Sequence, residues 1–205
     1  MANNKAYVVV RPEEVLDAWF HGDYTDKPFS RLWFAPSNSD NQREADEFIH
    51  ARFLGTLKAI ENDIDNIVID ANKETTVVER WKARPMSFVA LIIVIDQFSR
   101  HIYRDRTGGQ VERLTANDNF AMSLSKEFLV KLKWDRYVPT LYRIFATMPL
   151  RHNHPSTGDL EFVLSQIEKY KERSALNEKV LSKFEKQTVR RLEALRDAEK
   201  VSSCP

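Results

Sequence analysis

The stretch that decides the fold runs Pro85-Met86-Ser87-Phe88-Val89-Ala90-Leu91-Ile92-Ile93-Val94-Ile95-Asp96-Gln97-Phe98-Ser99-Arg100-His101-Ile102-Tyr103-Arg104. From Phe88 to Ile95 no polar residue interrupts it, so periodicity alone does not separate a buried strand from a buried helix. The Ile and Val content favours strand by propensity. Nothing else in the chain resembles a partner strand, however, and a lone strand would leave its backbone groups unsatisfied. A buried helix from about Pro85 to Tyr103 is therefore expected, with Pro85 suited to its first turn.

The flanking segments are also helical in pattern. Pro12 to Phe20 opens with Pro12, places Glu13 and Glu14 at the positive dipole end, and carries an apolar stripe of Val15, Leu16, Trp19 and Phe20. His21 to Ser39 reads as a loop of Gly, Pro, Asn and Asp, pinned by Trp33 and Phe34. About Gln42 to Glu61, Ala45, Phe48, Ile49, Phe53, Leu57 and Ile60 recur at three- and four-residue steps and predict a long amphipathic helix. Asn62 to Thr76 is either a frayed helix or a short strand in a loop. Gly108-Gly109 marks a break, and Thr115 with Asp118 resembles a capping box opening the next helix. Pro139 opens a short helix to about Thr147, Pro149 and Pro155 bracket a loop, and Asp159 to Lys200 forms one or two helices. The expected architecture is all-α, a single domain over residues 1–205, with a spacing that several helical pairs of about 35 residues would fit.

Composition narrows the function classes. The 205 residues are 42% hydrophobic and 30% charged, which excludes disorder and a collagen-like repeat. Lys+Arg number 31 against 30 Asp+Glu, which excludes a strongly basic nucleic-acid binder. The near-neutral sum is a cancellation: residues 40–79 hold ten acids and four bases, and residues 169–200 hold ten bases and six acids. The one cysteine, Cys204, closes no intrachain disulfide and excludes four-cysteine zinc sites. With no secretory core near Met1 and no stretch approaching the roughly 18 apolar residues of a membrane span, the expected setting is the cytoplasm or an organelle matrix.

The candidate chemistry sits where the apolar run ends. Asp96, Arg100 and Arg104 are spaced four apart, acid before base, and would project from one helix face. One reading is a partly buried ion pair closing the core helix. The other is an anion-recognising patch of Asp96, Gln97, Arg100, Tyr103 and Arg104, its planar guanidinium groups oriented by a carboxylate. A second candidate is His152 with His154, flanked by Pro149 and Pro155. These two lack the further ligands that a metal needs, so no metal is expected. Phosphate-binding glycine loops, nucleophile elbows and dinucleotide fingerprints are all missing, and no cofactor is expected.

Taken together, Trp81, Pro85, Ala90-Leu91 and the Asp96-Gln97-Phe98-x-Arg100-x-x-Tyr103-Arg104 element resemble domain-of-unknown-function family 924. Trp19-Phe20, Trp33-Phe34, Asp46, Ile49, Arg52, Phe53, Asp118, Ala121 and Pro149-Leu150-x-His152 agree, so the resemblance covers residues 1–152. It implies an all-helical fold of packed antiparallel helical hairpins, similar to tetratricopeptide-repeat superhelices, and carries no established activity, cofactor or substrate. Asn153 and His154 replace the Ser-Glu that usually follows the histidine, nothing between Phe184 and Pro205 resembles the family's closing motif, and 153–205 is expected to be a divergent, basic C-terminal helical segment. The expectation is a non-catalytic helical protein that binds a protein partner. The alternatives are a hydrolase on a small anionic substrate, with His152 as general base beside Asp96 and Asp118, and an RNA binder using the basic C-terminal helix.

Overall fold

The computed structural model describes residues 7–21, 37–65, 76–105, 107–131, 137–153, 155–171 and 178–202. Eight helices account for most of these residues, and no strand occurs among them. The fold is all-α, as the apolar run required. Trp33, Phe34, Ile67, Val68, Ile69, His154 and Cys204 lie outside the described residues, while Ile64 falls within a helix, Asp40–Asp65.

The chain groups into two compact units, Met1–Ala121 and Met122–Pro205. In the first, helix α1 (Pro12–Leu16) runs into a π-helical turn, Asp17–His21. Pro12 takes the first position after an extended Arg11, whose backbone N–H donates to Glu14 Oε1 at 3.2 Å. Helix α2 (Asp40–Asp65) starts at Ser39, whose Oγ accepts from the Gln42 N–H at 3.2 Å. Helix α3 (Val77–Lys82) has two N-terminal donors held by a remote acid: Asp63 Oδ2 accepts from Val77 N at 2.7 Å and Val78 N at 3.3 Å.

Helix α4 spans Pro85–Ile93, a π turn Val94–Phe98 and a last turn Ser99–Ile102. Phe88 through Ile95 are all fully buried, so the run is a core helix packed by α1, α2 and α3. Pro85–Ile102 does reach the length and apolarity of a membrane span, contrary to expectation, yet 67% of it is buried inside the protein. Aromatic rings organise the centre: Phe53 and Phe98 lie 4.6 Å apart, and Trp19 meets Phe98 edge-on at 5.6 Å. The two π turns thus touch through Trp19 and Phe98.

Helix α5 (Gln110–Val130) begins earlier than Thr115. Gly108, at φ +56°, turns the chain, and Gln110 Oε1 accepts from Thr107 N at 3.0 Å, so the helix starts directly after the glycine pair. Thr115 is internal, donating its hydroxyl to Val111 O at 3.0 Å.

In the second unit, α6 (Thr140–His152), α7 (Thr157–Lys171) and α8 (Glu178–Ser202) surround a core of Ile144, Leu150, Val163, Ile167, Tyr170, Leu181 and Phe184. Pro149 lies inside α6 rather than opening a loop. Burial of Pro149 and Leu150 offsets the missing N–H, and the Pro149 carbonyl closes the last turn by accepting from Asn153 N at 3.1 Å.

Candidate functional site

The end of α4 delivers a run of polar side chains from the core toward α2 and α5, all within the first unit. Asp96, on the π turn, is fully buried, and Gln97 Nε2 donates to its Oδ2. Arg100 lies 3.8 Å from Asp96 but only 2.6 Å from Asp118 Oδ1, so its guanidinium spans α4 and α5. Arg104 does not continue a ladder from Asp96 and Arg100. The helix ends at Ile102, Tyr103 adopts φ −107° and ψ 26°, and the chain turns Arg104 toward α2. There it grips Asp46 with two donors, Nε to Oδ2 and Nη2 to Oδ1, the second at 2.9 Å.

Asp46 also receives His101, whose Nδ1 lies 2.6 Å from Oδ1. Burial acts to raise the Asp46 carboxyl, but the His101 and Arg104 hydrogen bonds outweigh it and hold the group below its ordinary value. Trp19 packs edge-to-face with the imidazole, with ring centroids 6.0 Å apart.

Tyr103 turns the opposite way. Its hydroxyl lies 2.8 and 2.9 Å from the two oxygens of Glu61, which is 3% exposed. Lys58 Nζ donates to the same hydroxyl at 2.6 Å and to Glu61 at 2.9 Å, and Asn117 Nδ2 donates to Glu61 at 2.8 Å. Burial, and then the Glu61 charge and hydrogen bond, push the Tyr103 hydroxyl far above its ordinary value. It is a fixed donor rather than a proton source.

The structure therefore brings Asp96, Gln97, Arg100 and Asp118 into one group and sends Tyr103 and Arg104 to two others. His152 stands at the C-terminal end of α6 in the second unit. Among the described residues no group of three or more His, Cys, Asp or Glu side chains is arranged to hold a metal. Sequence reasoning left out Lys58, Glu61 and Asn117. The available signal was an acid inside an apolar stripe, since Glu61 follows Leu57 by four residues on the buried face of α2.

The fold and this network define a class: an all-helical protein whose core helix ends in a knot of partly buried ion pairs. The chain belongs to the family described as bacterial protein of unknown function (DUF924), whose model matches residues 15–197. The match runs on through residues 153–197, so the family extends past the residues 1–152 to which the resemblance was limited. No curated protein matches the chain, and no solved structure does.

Proposed function

We propose that this protein is a non-catalytic helical binding protein, built of hairpins in the manner of tetratricopeptide repeats, that engages a protein partner. One observation carries the reading. The charged groups that an anion-binding active site would present to a substrate are directed at one another: Arg100 to Asp118, Arg104 to Asp46, Lys58 and Tyr103 to Glu61. Such a cluster stitches three helices, and it leaves the helical surfaces to act by contact. Affinity purification from the source organism's extract, with identification of what co-purifies, tests this. A stoichiometric protein partner is expected, and a lone monomer would count against it.

A second reading, a hydrolase, draws on His101. Its Nδ1 lies 2.6 Å from Asp46 Oδ1, so a carboxylate orients the ring as one does beside a general base. Under that reading Arg100→Ala abolishes turnover of a small anionic ester while the fold persists; under the binding reading, partner capture persists in the folded variant.

A further inference from the structure

We propose that the segment before α1, residues 7–11, pairs along its free edge with an extended strand of the partner protein. This rests on the protein-binding reading above and gives the partner's chemistry, an extended stretch of β-branched residues. Tyr7-Val8-Val9-Val10 has the composition of a strand, yet no strand occurs among the described residues. The segment runs across α2 instead. A Cβ on Gly55 would lie 2.7 Å from the Val8 carbonyl oxygen and 3.5 Å from the Val8 nitrogen, and Val10 N donates to Thr56 Oγ1 at 3.0 Å. Val8 and Val10 thus turn main-chain groups toward α2.

Successive residues of an extended chain face opposite edges, so Tyr7 and Val9 turn their main-chain groups away from α2. No hydrogen bond joins the N–H or C=O of either to any described residue. Arg11, next on that side, closes the edge: its N–H donates to Glu14 Oε1, and Pro12 follows. Two donors and two acceptors remain, and a second extended backbone presents the matching groups at the matching spacing. Natural sheets protect such an edge with charge, proline or a bulge. Residues 7–10 contain no charged residue and no proline. Val8 is 80% exposed, more than any other large apolar side chain among the described residues. In an antiparallel pairing the residue opposite Val8 falls in a non-hydrogen-bonded pair, where side chains approach most closely, and a β-branched or aromatic residue fits there. A second folded copy is the poorer occupant. An edge this short buries far less than the roughly 1,200–2,000 Å² of a stable interface between two folded surfaces, whereas an extended peptide is held by the main-chain bonds themselves.

The test uses the full chain and a fluorescein-labelled Lys-Thr-Val-Thr-Val-Thr-Lys peptide, read by anisotropy. The control is the same peptide N-methylated at every Thr and Val, which keeps the side chains and the charge but removes the donors. Saturable binding of the first peptide is expected, at least about tenfold tighter than that of the second. Val9→Pro removes one donor from the free edge and suits an extended φ; with wild-type circular dichroism it should weaken binding at least about fivefold. Val8→Asp, at an exposed position, should weaken it about threefold or more. No binding, equal affinity for the two peptides, or affinity unchanged in either variant would overturn the proposal. So would a wild-type dimer in sedimentation that Val9→Pro dissociates, since the edge would then belong to a second copy. Partner capture from extract separates this proposal from the reading beneath it. If Val9→Pro retains the wild-type partner, the edge assignment fails while the binding reading stands; if wild type captures none, the binding reading fails and the edge assignment with it.

Discussion

The Tyr103 hydroxyl sits between both oxygens of Glu61, at 2.8 and 2.9 Å, and fastens the end of α4 to a carboxylate that has almost left water. Tyr103→Phe removes that donor and leaves Glu61 with Lys58 and Asn117. A hydrogen bond to a buried charge is worth about 1.5–3 kcal/mol. Urea unfolding should show a loss of that size with an unchanged slope, and an unaltered midpoint would remove Tyr103 from the list of groups that hold the helix end.

Acid stability follows from Asp46. Its carboxyl is held below the ordinary 3.8 in the folded chain, chiefly because the hydrogen bonds from His101 and Arg104 outweigh the opposing effect of burial. A depressed carboxyl contributes stability that is fully present above its unfolded value and is lost as pH falls through the folded one. Asp46→Asn should therefore be less stable at neutral pH and lose less on acidification below about pH 4. Parallel losses in variant and wild type across that window would contradict the role given to Asp46. Asp65, lowered mainly by its hydrogen bond from Arg113, leaves some acid lability in both.

Gly55 is required by a neighbour rather than by its own dihedrals. The extended segment before α1 crosses α2 here, with Val10 N donating to Thr56 Oγ1 at 3.0 Å, and a Cβ on Gly55 would lie 2.7 Å from the Val8 carbonyl oxygen. Gly55→Ala must push that backbone away. Faster chymotryptic cleavage after Tyr7, which is exposed in this segment, is the expected result in the folded variant. Equal cleavage rates would show that the crossing segment adjusts without detaching.

Most of the fold was legible in the sequence, and the site was legible only in part. The Phe88–Ile95 run announced a core helix because no second strand existed to pair with it, and the stripe from Ala45 to Ile60 announced α2. Thr115 misled because a capping-box spacing recurs inside helices, where the hydroxyl simply bonds back to Val111. Arg104 misled because helical spacing was extended past the residue where the helix stops. The partners of Arg104 and Tyr103 lie 58 and 42 residues away in sequence, so no local spacing could pair them.

Phe98 is the hinge of the aromatic centre, touching Trp19 from one π turn and Phe53 from α2. Phe98→Ala should cost roughly 3–5 kcal/mol, the range for a large ring removed from a packed core. A loss under about 1 kcal/mol would mean that the surrounding helices collapse into the space.

The central claim is that the charges at the end of α4 hold the fold together rather than await a substrate. A double-mutant cycle on Arg100 and Asp118, read by equilibrium unfolding of wild type, Arg100→Ala, Asp118→Ala and the double variant, addresses it most directly. The 2.6 Å pair, with side chains 31% and 12% exposed, predicts destabilised single variants and a coupling energy of about 1–3 kcal/mol. Active-site charges are held at the expense of stability, so their removal leaves a protein as stable or more so. Single variants as stable as wild type, with no measurable coupling, would contradict the account.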